Sequence, residues 1–328
     1  MPESLGDIGE FGFIGRIKSL LTEGPDVLAR IGDDCAAVRV GAEVILVSCD
    51  LSIENVHFRT TVDPEWIGYK AAASAWSDIF AMAGLASCAV VSIAAPPATP
   101  VEFLREVYRG LDNATKASGG VIVGGDTSRI DGPIVIDVTV IGRAIDGRFC
   151  TRRGANPGDR LLVIGELGTA ALGLHVLEHN LDHPEFAHAH YHPKSRVGPG
   201  AHLWKYKMIR ALIDVSDGLV QDAGHLANAA GLGVDIESWV LPINPKVAST
   251  AYDLGLDPVD LALYGGEDYA LAVAVDKTSA IRLRRELQMQ LDVPAAIVGA
   301  FTADFKGVRV DGAPPKRSGH DHFGKQDA

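Results

Sequence analysis

Aspartate residues recur where apolar segments of the chain end. Asp50 follows the run Val44-Ile45-Leu46-Val47 after two residues, and Asp78 stands late in the segment SAWSDIFAMAG. The other acids of this group are Asp33, Asp34, Asp126, Asp214 and Asp217. Any one of them suits a turn or a helix start, since Asp bonds nearby backbone and complements the helix dipole. Together they predict a metal site, because hard oxygen ligands suit Mg²⁺, which proteins commonly share with substrate phosphates.

Asp78 differs from the other acids in its surroundings. Its neighbours Ile79, Phe80 and Met82 mark an apolar environment within an Ala-rich helix. An unpaired carboxylate buried there would cost several kcal/mol. A bound cation would remove that penalty.

Glycine pairs accompany the acids. The segment SGGVIVGGDTSR has Gly119-Gly120 before a short apolar strand and Gly124-Gly125 after it. The segment LYGGEDYAL likewise has a glycine pair, directly before two acids. Such glycines suit a close approach of backbone to a ligand. Neither GxxxxGK[ST] nor a GxGxxG that opens a helix after a strand occurs, so the chain has no P-loop. The predicted phosphate cradle is instead the helix start near Ser216-Asp217-Gly218, whose backbone N–H groups can bind an anion.

Composition limits the partners. The 328 residues carry 30 Lys and Arg against 42 Asp and Glu, a net charge of −12, which disfavours nucleic acid and anionic lipid. Four cysteines without a CxxC pair, and a start with neither basic nor apolar signal region, predict reduced thiols and a cytoplasmic location. No apolar stretch approaches the roughly 20 residues of a membrane span.

The order of elements predicts an α+β chain of two domains. Runs rich in Val and Ile, such as EVILVSC and YALAVAV, predict strands, and Asp63-Pro64 opens a helix that Gly84 ends. Turn residues and charges in GRAIDGRFCTRRGANPGD place the boundary near residue 150, which gives domains 1–150 and 151–328. The His-rich segment EHNLDHPEFAHAHYHP is interpreted as a solvated loop between helices rather than a metal site.

In order along nearly the whole chain, the motifs GEFGFIGRI, IGDDCAAV, VSCDLSIENVHF, SAWSDIFAMAG, GGDTS, TRRGANPGD, IDVSDGL, LALYGGEDYAL and GHDHF resemble the thiamine-monophosphate kinase family. That family belongs to the aminoimidazole ribonucleotide synthetase superfamily, which binds ATP without a P-loop. The resemblance implies a homodimer whose N-terminal sheets form a barrel. It also implies several Mg²⁺ ions and transfer of the γ-phosphoryl group of ATP to thiamine monophosphate, giving thiamine diphosphate and ADP.

The resemblance also assigns roles to residues. The residues at the positions that bind metal in the family are Asp33, Ser48, Cys49, Asp50, Asp78, Asp126, Asp214 and Asp217. The residues at the family's ATP-contacting positions are Gly125, Asp126, Arg152 and Ser216. Those at its thiamine-phosphate-contacting positions are His57, Tyr264 and His320. In the resulting hypothesis Asp33, Asp50, Asp78 and Asp126 hold the metal ions and Arg152 adds a fixed positive charge. Phosphoryl transfer then requires positioning and charge neutralisation rather than a protein nucleophile.

Two positions depart from the family pattern. Cys49 stands where Thr is common, although its backbone carbonyl can still bind metal, and His320 stands where the family tends to have a larger aromatic residue. Two alternatives remain open. One is an aminoimidazole ribonucleotide synthetase, which has the same fold. The other is a catalytically silent nucleotide-binding or metal-buffering module.

Overall fold

Two six-stranded mixed sheets form the framework of the molecule. The structure is a computed structural model that describes residues 3–194, 197–317 and 319, with only the backbone of Phe11 and Val197. The first sheet has the order β1-β2-β3-β6-β4-β5, formed by β1 (Val27–Ala29), β2 (Ala36–Val40), β3 (Glu43–Ile53), β4 (Leu85–Ala95), β5 (Val121–Arg129) and β6 (Val135–Arg143). The second has the order β12-β9-β11-β7-β10-β8, formed by β7 (Arg160–Ile164), β8 (Ile209–Val215), β9 (Gly233–Ile236), β10 (Ala270–Val275), β11 (Ala295–Thr302) and β12 (Gly307–Val310).

Helices cover both sheets. Those of the first half are α1 (Leu5–Lys18), α2 (Pro64–Ala81) and α3 (Val101–Ala117). Those of the second half are α4 (Thr169–Glu178), α5 (Pro184–Tyr191), α6 (Val197–Leu203), α7 (Leu219–Ala230), α8 (Pro245–Asp253), α9 (Pro258–Tyr264) and α10 (Ala280–Leu291). The predicted α+β class with two domains is confirmed, while the limits 1–150 and 151–328 stay a prediction. Within the described residues, no helix combines the length and apolarity that a membrane span requires.

Helix α2 lies at the centre of the molecule because its small residues allow close packing. Asp63 caps its first turn by accepting a hydrogen bond from the Glu65 N–H at 3.0 Å, as the sequence predicted. Gly68 faces α3, where an added Cβ would lie 1.8 Å from the Val107 carbonyl oxygen. The buried Ala71, Ala72 and Ala75 belong to the first core, and the C-terminal end of the helix reaches the second sheet. Side chains of α2 can therefore take part in a site shared by both domains.

The His-rich segment is not the solvated loop that the sequence predicted. It contains α5, which packs on α2, and both Phe186 and His190 are buried. Trp66 of α2 contacts His188 edge-on with ring centroids 5.3 Å apart. Pro184 at the first helical position and two buried aromatic residues explain the helix, because apolar residues at this spacing compensate for the polar histidines.

Candidate active site

Three carboxylates from separate parts of the chain meet at the junction of the domains. Asp34 precedes β2, Asp78 lies in α2 and Asp214 lies in β8, and their carboxylate oxygens come within 4.8 Å of one another. Two serines bind these acids: Ser48 Oγ donates to Asp78 at 2.5 Å, and Ser77 Oγ donates to Asp214 at 2.6 Å. We call Asp34, Asp78 and Asp214 the carboxylate cluster.

Arg152 joins the cluster from the segment between the two sheets. Its Nη2 donates to Asp34 Oδ1 at 2.7 Å, and its backbone N–H donates to Asp33 Oδ1 at 2.6 Å. Burial opposes the charge of the guanidinium, but the Asp34 carboxylate raises the pKa of Arg152 above its usual value. Arg152 therefore remains a cation that is fixed in place by two neighbouring acids.

Burial and mutual repulsion disfavour the ionised form of the cluster. Burial, followed by the charges of Asp214 and Asp34, raises the pKa of Asp78 well above its usual range. Burial and the Asp34 charge raise the pKa of Asp214 to about 7. Burial also raises the pKa of Asp34, although Arg152 acts against the increase. A further cation beside these carboxyl groups would favour their ionised forms.

The donor set of the cluster fits a divalent cation. Asp34 Oδ2 is buried and has no hydrogen-bond partner. Three ionised carboxylates beside one guanidinium leave two negative charges without compensation. Carboxylate oxygens are suitable ligands for Mg²⁺, and a buried oxygen without a partner carries a free-energy penalty that a bound ion would relieve. The cluster is thus a candidate metal centre.

Strand β3 presents its predicted ligands on both faces of the first sheet. Asp50 lies in one cross-strand row with the buried Val138 and Val91, on the face that packs against α2. Its charge raises the pKa of Asp78, so the two acids are close. Because side chains alternate along a strand, Cys49 lies on the opposite face, where it is exposed. Of Cys49, only the backbone carbonyl remains a candidate metal ligand on the α2 side.

Asp126 lies apart from the carboxylate cluster within one chain. It shares a cross-strand row with Ser92 and Asp137, which places it on the face opposite Asp50. Strands β3 and β5 are three strand spacings apart, about 14 Å. Gly125, its neighbour, faces β4 so closely that an added Cβ would lie 1.8 Å from the Val91 carbonyl oxygen. Strand packing therefore requires glycine at this position.

The helix start that the sequence predicts as a phosphate cradle is the start of α7, which follows Ser216, Asp217 and Gly218. The Asp217 N–H already donates to Asp222 Oδ2 at 3.1 Å. Ligand atoms of Asp217, Asp222 and His225 lie within 4.8 Å of one another, a second group that could hold a metal ion. Burial, followed by the charge of Arg152, lowers the pKa of His225 to about 4, so its imidazole is neutral at pH 7.

The three residues predicted to contact the thiamine phosphate lie in different surroundings. His57 Nδ1 accepts a hydrogen bond from the Ile53 N–H at 3.0 Å. Tyr264 is 8% exposed, and its hydroxyl accepts from the Lys316 N–H at 3.0 Å, so the C-terminal segment covers it. His320 lies outside the described residues. Its neighbour Gly319 lies against α7, where an added Cβ would be 2.6 Å from the Asp217 carbonyl oxygen.

The sequence predicts Asp33 and Asp34 as candidate acids, and the family resemblance assigns the metal position to Asp33. In the structure, Asp34 is the one that belongs to the carboxylate cluster. Sequence reasoning passed over Lys70 and Glu267, whose Nζ and Oε1 atoms are 2.6 Å apart. A signal for Lys70 existed: with Ser74, Ser77 and Asp78 it forms a polar stripe at helical spacing through an otherwise apolar helix.

Glu267 and its loop are held in an unusual backbone conformation. Glu267 has φ 58° and Tyr269 has φ 47°, both in the left-handed region, which costs on the order of 1–3 kcal/mol per residue. Burial opposes the charge of Glu267, but Lys70 and His190 lower its pKa to about 2. The charge of His57 also lowers it, so the two groups interact electrostatically. Glu267 is therefore an anion within electrostatic range of a predicted substrate contact.

Two family models that together match most of the chain show that it is an AIR synthase related protein. The family model for the N-terminal domain of AIR synthase related proteins matches residues 32–144, and that for the C-terminal domain matches residues 156–312. Within this class, the chain belongs to the thiamine-monophosphate kinase family.

Similar proteins support this family at high coverage. The thiamine-monophosphate kinase of Aquifex aeolicus (strain VF5) is 35% identical over 272 residues, which are 81% of this chain and 86% of that protein. The thiamine-monophosphate kinase of Escherichia coli (strain K12) is 32% identical, over 96% of this chain and 98% of its own length. A solved structure, AaThiL complexed with AMPPCP and TMP, superposes with a TM-score of 0.87 and 31% identity, over 98% of this chain and 100% of that one.

Proposed function

We propose that this protein transfers the γ-phosphoryl group of ATP to thiamine monophosphate, giving thiamine diphosphate and ADP, the last step in making thiamine diphosphate. The observation that carries the proposal is the match over 98% of the chain to AaThiL complexed with AMPPCP and TMP. The carboxylate cluster at the domain junction supports it, since it offers metal ligands from both domains. The acceptor phosphate is already largely ionised at neutral pH, so no strong general base is required.

Several Mg²⁺ ions are part of the proposal. Bound Mg²⁺ would neutralise the charge of two phosphate groups that otherwise repel each other. The residues proposed to hold the ions are Asp33, Ser48, Cys49 through its carbonyl, Asp50, Asp78, Asp126, Asp214 and Asp217, to which we add Asp34. Its unpartnered Oδ2 supports that addition. Arg152 keeps a fixed positive charge beside Asp33 and Asp34 and orients both carboxylates.

The two substrates are proposed to meet at this junction from different sides. Gly125, Asp126, Arg152 and Ser216 form the ATP side, and the start of α7 offers backbone N–H groups to its phosphates. His57, Tyr264 and His320 form the acceptor side. Glu267 belongs with them, because a carboxylate repels triphosphate but attracts the cationic thiazolium ring of thiamine.

A homodimer built through the first sheets completes the proposal. The face of the first sheet opposite α2 exposes Leu51 and Val121, and Val123 on the edge strand β5 is also exposed. Two such faces can pack together and form the expected barrel, which also protects the edge strand from unspecific pairing. Asp126 lies on this face, so a dimer would bring it to the partner chain. We therefore propose that Asp126 acts on the partner's nucleotide.

The direct test is a product assay. The purified protein is incubated with ATP, Mg²⁺ and thiamine monophosphate, with free thiamine as a parallel acceptor, and ADP and thiamine diphosphate are quantified by chromatography. We expect stoichiometric ADP and thiamine diphosphate from the monophosphate alone. ATP binding without either product would refute the proposed reaction and favour a silent nucleotide-binding module.

A further inference from the structure

A buried lysine connects the two domains beside the proposed acceptor side. Lys70 of α2 is 7% exposed, and its Nζ lies 2.6 Å from Glu267 Oε1 and 2.9 Å from His190 Nε2. His190 belongs to α5 of the second domain, and Glu267 to the loop before β10. A buried ammonium group is stable only where a charge and hydrogen bonds compensate for its lost hydration. The three side chains thus depend on one another.

The protonation of His190 follows from its neighbours. Its Nδ1 lies 3.0 Å from the Ala170 carbonyl oxygen, so this nitrogen donates and carries the proton. Nε2 is then free of a proton and accepts from Lys70. Burial and the charge of Lys70 lower the pKa of His190 to about 4, which agrees with a neutral ring. Lys70 therefore has one neutral and one anionic acceptor, and the anion is Glu267.

The loop 265–269 is fixed at both ends. The Glu267 N–H donates to the Ser216 carbonyl at 2.7 Å, and the Tyr269 N–H donates to the Val215 carbonyl at 3.0 Å. The Asp268 carboxylate accepts from the N–H groups of Gly168 and Ala170 at 2.6 and 3.0 Å. A left-handed conformation at two non-glycine residues persists only where such contacts determine it. For Glu267, the ion pair with Lys70 of α2 is the contact that holds its side chain from the other domain.

We propose that Lys70 and His190 are positioning residues, which hold the Glu267 carboxylate and its loop in place for the acceptor substrate rather than for ATP. The first part, the holding of the loop, stands on the contacts described above. The second part rests on the proposed function, in which thiamine monophosphate is the acceptor. Its physical basis is the sign of the charge: an anion within electrostatic range of His57 suits a cationic ring and disfavours a triphosphate.

Amide hydrogen exchange tests the holding of the loop without any substrate. In Lys70→Met, which removes the charge at similar length, we expect the amides of Glu267 and Tyr269 to exchange at least about tenfold faster, since local opening sets this rate. His190→Asn can still bind the Ala170 carbonyl but loses the Nε2 acceptor. We expect the amides of Glu267 and Tyr269 to exchange faster in this variant as well. Amides of β7 are the internal reference. Unchanged loop exchange, or an equal increase in β7, would overturn the proposal.

Steady-state kinetics test the choice of substrate. In Lys70→Met, the KM for thiamine monophosphate should rise by about tenfold, while the KM for ATP changes by less than about twofold. Lys116→Met is the matched control, because Lys116 pairs with Asp112 on the exposed surface of α3. Equal changes in both KM values would contradict a role toward the acceptor.

A double-mutant cycle separates positioning from general damage. Glu267→Gln and Lys70→Met/Glu267→Gln are measured beside the single Lys70 variant. If Lys70 acts through Glu267, the double variant has a KM defect no larger than that of the worse single variant, whereas independent effects would multiply and refute the proposal. The double variant leaves no unpaired buried charge, so it serves even if Lys70→Met folds poorly. A wild-type protein without turnover would refute the proposed function, and hydrogen exchange would then decide the positioning role alone.

Discussion

The chemistry of the site depends on a few carboxyl groups that burial keeps from ionising freely. Asp78 is the most affected, because its partial burial and then the charges of Asp214 and Asp34 disfavour its ionised form. In the absence of metal, its charge destabilises the fold. With metal, the same charge becomes a ligand. One residue thus has opposite effects on stability in the two states.

Asp78→Asn separates these effects. The change keeps the shape of the side chain and removes one charge, so we expect turnover with Mg²⁺ to fall by at least about a hundredfold through loss of a proposed ligand. Thermal unfolding of the metal-free variant should occur at the same or a higher temperature, since a repelled carboxylate is gone. Asp112→Asn on the surface of α3 is the control. Near-normal activity of Asp78→Asn would exclude Asp78 as a ligand.

The cluster also predicts how Mg²⁺ binding depends on pH. The pKa of Asp214 is raised to about 7 in the folded protein, above its ordinary value of 3.8. The stability contributed by the protonated group is fully present below pH 3.8 and is lost as the pH rises toward 7. Metal needs the deprotonated form, so Mg²⁺ affinity should rise across this range.

Thermal unfolding from pH 5 to pH 8, with Mg²⁺ or with EDTA, measures this dependence. We expect the stabilisation by Mg²⁺ to increase with pH and to reach its maximum above pH 7. Asp78→Asn should show a smaller increase, because fewer protons leave when the metal binds. A stabilisation that is independent of pH would contradict protonated carboxyl groups in the metal-free site.

At the scale of elements, β5 shows how neighbouring glycines can differ. Gly125 faces β4, and an added Cβ would lie 1.8 Å from the Val91 carbonyl oxygen, whereas a Cβ at Gly124 would meet no atom within 4 Å. The register of β5 against β4 shifts between Ala89 and Val90, so the backbone beside these glycines departs from a regular pleat. The motif GGD thus combines one glycine that packing requires with one that it does not.

This difference gives a matched pair of variants. Gly125→Ala should lower the free energy of unfolding by about 1–3 kcal/mol, because β4 and β5 must separate to make room. Gly124→Ala should stay within about 0.5 kcal/mol of the wild type, since the position is open. Urea denaturation at constant pH and Mg²⁺ concentration measures both. A reversed order would show that the strand register differs from the one described.

At the scale of the whole molecule, the faces of the first sheet separate the predicted ligands. Asp50 and Ser48 lie on the α2 side with the carboxylate cluster, and Asp126 lies on the other side, on the exposed strand β5. One chain therefore does not bring Asp126 to the cluster. In the proposed dimer, each site would use Asp126 of the other chain.

Mixed dimers test this arrangement. Asp78→Asn and Asp126→Asn chains with different affinity tags are co-expressed, and dimers that carry both tags are purified. If Asp126 acts on the partner's site, one of the two sites has no substitution, and about half of the wild-type activity should return. If Asp126 acts within its own chain, both sites are altered and the mixed dimer stays inactive. A monomer in analytical ultracentrifugation would refute the dimer itself.

Local sequence determined the elements and the types of ligands in this protein. Short runs rich in Val and Ile predicted β3 and β10, and the Asp63-Pro64 start with the Gly84 end predicted α2, because these signals act within a few neighbouring residues. Acids at element ends predicted carboxylate ligands, and ordered motifs indicated the family. The sequence did not predict α5, because the histidines lower the hydrophobicity of the segment although its apolar residues pack on α2.

Tertiary structure alone decided which of these residues meet. Asp33 and Asp34 precede β2 in an irregular segment, whose side-chain directions the sequence does not encode. Along a strand, a shift of one residue reverses the side chain, so the sequence did not predict that Asp126 faces away from Asp50. The pairing of Lys70 with Glu267 joins residues 197 positions apart, through the packing of α2 against the second domain. Such contacts arise from long-range packing, which patterns within single elements do not encode.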